Sequence, residues 1–265
     1  MSSDPKKFPI LRLPTLASEN VIRAMELKDM FILSLTSTKA KALLNLSLPK
    51  NHAHIICSLE GHVHVDIQFY PGATSTNFIF GEALRLLNHA KSLNLPMEKL
   101  KLKTRNTPAE VYRAFLNVGP IAKELLIVSR APPDFQYSPT EVFKLNKFHV
   151  EDGHWVKLQD FMKCRSVKVN NKTANPNIYS VNAQRLNEFF KIWQRSSCRL
   201  EFLQVPVHHF TPVLNFEEVT MGLNGTNFVR GDHFQILDIK REDGRKARIA
   251  LTLLDLTLIE ETFTF

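Results

Sequence analysis

A mixed α/β (α+β) fold is predicted for this 265-residue chain, in which a short helical module precedes an irregular stack of helices and strands with β-hairpins near its start and end. Three observations carry that reading. Between residues 8 and 48 apolar positions recur at helical spacing, and from about His54 the pattern switches to period two. A unit of helix, Cys-Arg and strand then occurs twice, as Leu158 to Phe161 followed by Cys164-Arg165, and as Leu186 to Phe189 followed by Cys198-Arg199. One helix and one strand per unit of uneven length describes an irregular leucine-rich-repeat-like stack with a parallel sheet.

The composition agrees with a globular protein. Hydrophobic residues make up 44% and charged residues 23%, with Gly 9 and Cys 3, which excludes disordered, collagen-like and coiled-coil classes. At roughly 150 residues per domain, this is one large domain or a small module joined to a larger one. The three cysteines, Cys57, Cys164 and Cys198, are odd in number, widely spaced and without a CxxC, which argues against a secreted disulfide scaffold and a four-ligand zinc finger. Pro5, Pro9 and Pro14 interrupt the start, and no stretch reaches the roughly 18 apolar residues of a membrane span. The expectation is an intracellular protein of cytoplasm or nucleus, without a membrane partner. In that setting the Asn-x-Ser/Thr triplets at Asn171 and Asn224 carry no meaning as glycan sites.

After a tail over residues 1–7, three short helices are read from Leu16, Val21, Ile22 and Met25, then Met30, Leu33 and Leu35, then Ala40, Leu43 and Leu44. Lys28-Asp29 and Thr36-Ser37 separate them, and Asp29 and Ser37 are available as N-caps. Forty residues cannot bury all of these apolar faces internally. The surplus face implies a partner.

Ile55, Cys57 and Leu59, followed by Val63, Val65 and Ile67, read as a hairpin. A three-residue loop over 60–62 would pair Leu59 with Val63 and Cys57 with Val65. A second hairpin is read near the C-terminus, with a loop over 243–245 that pairs Leu237 with Leu251 and Glu242 with Lys246. In between come a helix over 80–93, a strand from Lys99 to Arg105 and a helix opened by Thr107-Pro108, with Thr107 as cap. Strands at 125–128 and 148–151, a helix over 155–162, a strand at 165–169, a helix over 182–194 and a strand at 199–205 follow.

Recognisable catalytic chemistry is sparse. Neither GxxxxGK[ST] nor GxGxxG occurs, and GxSxG and HExxH are absent. No catalytic residue and no cofactor are expected. His52, His54, Cys57, His62 and His64 are ligand-type residues close in sequence, but strand alternation points His54 and Cys57 to opposite faces, so no metal site is assigned. Cys164 and Cys198, each between a helix and a strand, are read as core, and so is Trp193. His208-His209 is placed in a loop.

The formal charge is +8 and the isoelectric point about 9.4, yet the 34 basic residues form no block. A nucleic-acid partner is therefore not the preferred reading. One strand stands out, because Lys99, Lys101, Lys103 and Arg105 alternate with Leu100 and Leu102 and share one face. The plain reading is the wet side of a sheet. Alternatively, with Lys168 on an equivalent strand, this face receives an acidic or phosphorylated segment of a protein substrate.

The segment over 8–48 resembles an F-box. The matching residues are Leu13-Pro14, then Val21, Ile22 and Met25, then Asp29-Met30, Leu33-Ser34, and Ser37 with Lys39 and Lys41. Thr15 stands where the family usually has an acidic residue, and the third helix lacks the family's aromatic. Residues 49–265, and about 178–250 in particular, resemble the F-box-associated region, type 2, of the large nematode-type F-box families. Leu186-Asn187, Phe189-Phe190, Trp193, Cys198 to Leu203, Asp238 to Arg241, Asp243-Gly244 and Ala247 to Ile249 carry that resemblance. It implies a substrate-recognition subunit, without catalytic residues of its own, of a Skp-cullin-F-box ubiquitin ligase. The partners implied are a Skp-type adaptor, through it a cullin, and a protein target. The adaptor contacts implied are Leu13, Pro14, Val21, Ile22, Met25, Leu33 and Leu35. The alternatives are a basic nucleic-acid-binding module and an adaptor-binding protein acting outside ubiquitin transfer.

Overall fold

The computed structural model describes residues 13–25, 29–30, 33–34, 37–47, 55–60, 64–69, 76–92, 97–103, 107–170, 182–207 and 214–263. The tail, Leu35, Arg105, the Asn171 triplet, His208-His209 and both predicted hairpin-loop residues 61 and 62 lie outside them. The fold is mixed α/β. Helix α1 (Thr15–Ala24) turns Ser18, Ile22 and Met25 inward at helical spacing, Asp29, Met30, Leu33 and Ser34 are helical, and α2 (Thr38–Ser47) follows. Ser37 caps α2 as expected, its Oγ accepting from the Ala40 amide at 3.1 Å. Ile22 is fully buried in the same core cluster as the sheet, and Met25, Met30, Leu33 and Leu43 pack against that cluster.

Strands β1 (Ile55–Glu60), β2 (His64–Phe69) and β3 (Thr76–Ile79) lead to α3 (Phe80–Ser92). Then β4 (Met97–Lys103), α4 (Ala109–Val118), β5 (Ala122–Ile127), β6 (Lys147–Val150) and β7 (Ser166–Val169) follow. The chain continues through α5 (Ala183–Arg195), β8 (Phe202–Pro206), α6 (Phe216–Thr220), β9 (Gly225–Arg230), β10 (Phe234–Lys240), β11 (Lys246–Thr252) and β12 (Asp255–Glu260). All twelve strands form one sheet in the order β3-β2-β1-β4-β5-β6-β7-β8-β12-β11-β10-β9. From β1 through β8 the ladders between β1, β4, β5, β6, β7 and β8 are parallel and in sequence order. The antiparallel hairpins extend both ends.

One face of the parallel run holds Leu100, Leu102, Leu125, Ile127, Phe148, Val150, Val167, Val169, Leu203 and Val205, all buried. The connections cover it with Tyr112, Phe115 and Leu116 of α4 and Leu186, Phe189, Phe190 and Trp193 of α5. Phe148 stacks on Phe161 with ring centres 4.2 Å apart, and Phe143 on Phe161 at 4.9 Å. Tyr112, Phe135 and Tyr137 meet Trp155 edge-on.

Several expectations are corrected. Thr107 does not cap α4; Pro108 occupies that position without a side-chain cap, while the Thr107 hydroxyl shares a buried hydrogen bond with Ser129. The helix read over 155–162 is only a 3₁₀ turn at Leu158–Phe161. Trp155, Val156, Leu158, Phe161 and Met162 are all buried there, and the tighter turn stacks Leu158 and Phe161 on one side. Strand β8 begins two residues later than the Cys-Arg repeat implies. Val167 pairs with Leu203, whereas aligning Cys164 with Cys198 puts it opposite Glu201.

Both hairpins close one residue away from the expected loop. In the first, Leu59 pairs with Val65 and Glu60 with His64, so β1 runs one residue further, β2 starts one residue later, and each partner moves by two. In the second, Leu237 pairs with Ile249 and Lys240 with Lys246. The Arg241 amide donates to Arg245 O and the Gly244 amide to Arg241 O, leaving 242–244 as the loop. Such three-residue loops end on a left-handed residue, and Gly244 supplies it with φ 93. The position of that glycine therefore sets the register. Glu242 lies in the turn, and Lys246 approaches Glu261 at 3.8 Å instead.

Glu260 closes β12 with its side chain 2% exposed and Arg245 Nη1 at 3.6 Å. Burial pushes its carboxyl pKa above the usual 4.5, against the downward pull of Arg245 and Arg241. The folded state thus holds a proton the unfolded chain releases, and stability falls as pH rises from the unfolded value through the raised one. Glu260→Gln is expected to raise Tm near pH 7 and to leave it unchanged near pH 4, where both states are protonated. Thermal denaturation at the two pH values checks this; a variant less stable near pH 7 would mean that the Arg245 contact outweighs burial.

Candidate functional site

Two surfaces emerge. The first is the outer side of α1 and the turn before it. Leu13 is 41% exposed, Leu16 71% and Val21 39%, and Pro14 is exposed beside them. Ser18 lies beneath, its amide donating to Pro14 O at 2.9 Å and its Oγ to Leu13 O at 3.2 Å, which holds the Leu13-Pro14 turn against the helix. The residues read as adaptor contacts therefore divide. Leu13, Pro14 and Val21 face out, Ile22 is in the core, and Met25 and Leu33 are half-buried against that core. The resemblance names neighbours such as Val21 and Ile22 together, although on a helix they face about 100° apart. Leu16 was missed as a surface residue, although its place three after Leu13 puts it on the same side.

The helical segment rests on α3. Ser34 Oγ and His89 Nε2 are 2.5 Å apart and buried, and Lys41 Nζ donates to Ser92 Oγ at 2.9 Å. Burial, and then the charge of Lys41, lower the His89 pKa.

The second surface is the sheet face opposite the core. The lysines of β4 do lie on it, since Leu100 and Leu102 are fully buried between them. A uniformly positive ladder is not what results. Lys99 pairs in register with Glu124, its Nζ 3.8 Å from the carboxylate, and Lys103 pairs in register with Glu60. Further along, His149 Nε2 lies 3.2 Å from Glu151, and Asn170 Nδ2 lies 3.3 Å from the same ring nitrogen. Gln204 donates to Asp255 at 2.8 Å, and Arg248 Nε to Asp238 at 2.8 Å. That hydrogen bond from Arg248 holds the Asp238 carboxyl below the usual carboxylate range.

Lys168 occupies the equivalent face of β7, with Cα partners His149 and Gln204. Among the described residues neither Lys168 nor its diagonal neighbour Lys147 on β6 has an ion-pair partner. Lys147 was not singled out by the sequence, because its strand shows only four residues of alternation.

A pocket of about 390 Å³ opens beside Val207, Leu214, Phe234 and Leu251, with Asp232 and His233 at its turn, and both of those polar residues are exposed. Cys164 and Cys198 are buried, and burial pushes the Cys164 thiol up to about 12, which removes it as a nucleophile at neutral pH. Among the described residues no group of three His, Cys, Asp or Glu side chains is placed to hold a metal ion, and no helix is long and apolar enough to cross a membrane. The side chains of the His-rich hairpin fall outside the described set.

No protein-family model matches the chain, and neither a curated protein nor a solved structure shows significant similarity to it.

Proposed function

We propose that this chain is the substrate-recognition subunit of a Skp-cullin-F-box ubiquitin ligase, with no catalytic residues of its own. The observation that carries the reading is the solvent-facing strip Leu13, Pro14, Leu16 and Val21, next to a fully buried Ile22. A helix that already satisfies its inner face and still presents large aliphatics outward has a partner to bury them. The resemblance of the segment over 8–48 to an F-box supplies that partner, a Skp-type adaptor and through it a cullin. The three-helix F-box assignment for 8–48 and the leucine-rich-repeat-like description of 49–265 belong to the same proposal. A parallel run of strands in sequence order, with every covering helix on one face, supports the second. The protein works by proximity, holding the target's acceptor lysine near the charged enzyme and so raising its effective concentration. Cytoplasm or nucleus is where such a ligase acts.

The pairing of Lys99 with Glu124 weakens one of the two supports of the basic nucleic-acid-binding alternative, which rests on the net charge and on the strand from Lys99 to Arg105. Leu13→Asp with Val21→Asp is expected to abolish co-purification of a Skp-type adaptor, at least about a hundredfold in affinity. Both residues are exposed, so stability should change by no more than the roughly 0.5 kcal/mol of surface changes. Ile22→Ala should instead lower Tm by a core-sized amount. Retained adaptor capture in the folded double variant would sink the proposal.

A further inference from the structure

The open sheet face changes chemistry from one end to the other, and the pairing register shows how. A single row of Cα partners crosses the strands from His149 on β6 through Lys168 on β7 and Gln204 on β8 to Ile236 on β10 and Val229 on β9. At the β6–β7 end the row is cationic. Glu124 lies in register between Lys99 and Lys147 and is nearer to Lys99, and Glu151 lies beside His149, so one carboxylate is shared by two lysines and among the described residues neither Lys147 nor Lys168 has a carboxylate within ion-pair distance. At the β9–β10 end it is apolar, with Val229 48% and Phe234 43% exposed and Ile236 half-buried between them. The carboxylate of that end, Asp238, is taken up by Arg248 and Asn227.

Resting on the reading of this face as the target-binding surface, we infer that it takes an extended acidic–apolar peptide segment lying across the strands, carboxylates over Lys147 and Lys168 and an apolar side chain over Val229, Phe234 and Ile236. Four strand spacings separate β7 from β10, about 19 Å at about 4.8 Å each. An extended chain covers that in about six residues. The ligand does not add as a strand at the β9 edge. Asn227 there has φ 54, and the β9–β10 register shifts between Ile236 and Asp238, a bulge of the kind that blunts edge pairing.

The probe is a fluorescein-labelled Gly/Ser peptide of about twelve residues carrying two adjacent Glu residues and, about six positions on, a Phe-Leu pair. Its binding to the full chain is followed by fluorescence anisotropy. Binding should weaken about tenfold or more in Lys147→Glu with Lys168→Glu, and to a similar degree in Val229→Asp with Ile236→Asp. A peptide with the two groups adjacent should bind as weakly as one lacking the Phe-Leu pair. Equal binding of the purely acidic peptide, or unchanged binding by either double variant, overturns the inference, and so does a dimer of this chain at micromolar concentration whose formation excludes the probe. These variants leave Leu13 and Val21 intact. Peptide binding without adaptor capture therefore rejects the ligase reading alone, and adaptor capture without peptide binding rejects this inference alone.

Discussion

Replacing Arg241 by alanine is expected to cost about 3–5 kcal/mol, the scale of breaking a buried charge network by removing one member. The guanidinium is 1% exposed. Its Nη1 donates to Cys198 O at 2.9 Å, its Nη2 to Asp243 at 2.6 Å, and its plane lies 5.3 Å from the Trp193 ring centre. Trp193 in turn donates to Leu200 O at 3.0 Å, and Gln194 to Lys240 O at 3.1 Å and Asn224 O at 2.8 Å. One side chain thus joins the end of α5, the segment leading into β8 and the β10–β11 hairpin. Alanine leaves a buried carbonyl without its donor and removes the cation over the indole. At about 2–4 °C per kcal/mol for a domain of this size, Tm should fall by roughly 10 °C. Arg241→Lys keeps the charge but cannot serve both acceptors, so an intermediate loss is expected. Thermal denaturation followed by circular dichroism decides it, and a loss below about 1 kcal/mol for alanine would mean that the network is not structural.

Neither Arg241 nor its network could be read from the chain. Trp193 was legible as a core residue and Arg241 only as part of a family resemblance, and their contact joins residues that no periodicity relates. Strand faces, by contrast, were legible. Leu100, Leu102, Val167 and Leu203 are buried as their alternation requires, because side-chain period in a strand is fixed by the backbone. Register was less legible, since shifting a pairing by two residues keeps every face the same. It took the positive φ of Gly244 to choose. The aromatic segment over 131–145, to which the sequence assigns no element, buries Phe135, Tyr137 and Phe143 without forming a strand or helix. Its signal was composition, not period. The open face was half legible. The lysines of β4 showed from their spacing, but Glu124, the carboxylate beside Lys99, comes from the neighbouring strand β5, which only the sheet order brings alongside.

Phe161→Ala is expected to lose about 3–5 kcal/mol, the usual cost of emptying a large buried aromatic site. Phe161 is 1% exposed and packs against both Phe143 and Phe148, which also lie 6.3 Å from each other, so removing its ring takes contacts from a three-ring cluster. Phe148 belongs to β6, whose Lys147 and His149 point to the opposite face, and the same turn leads into β7 and Lys168. The cavity therefore lies directly behind the cationic end of the open face. Relaxation into it should draw β6 and β7 out of their present spacing. The acidic end of the labelled peptide should then bind more weakly, by a few-fold, even at a temperature where the variant is fully folded. Phe161→Leu fills most of the volume and is expected to recover about half of the stability loss and nearly all of the peptide affinity. Chemical denaturation and peptide titration of the two variants side by side separate the effects: stability should follow the volume removed, whereas affinity should follow the position of the Lys147 and Lys168 strands. If Phe161→Ala lost stability with peptide affinity fully intact, the cationic end would be held by the β-ladder alone rather than by the aromatic stack behind it.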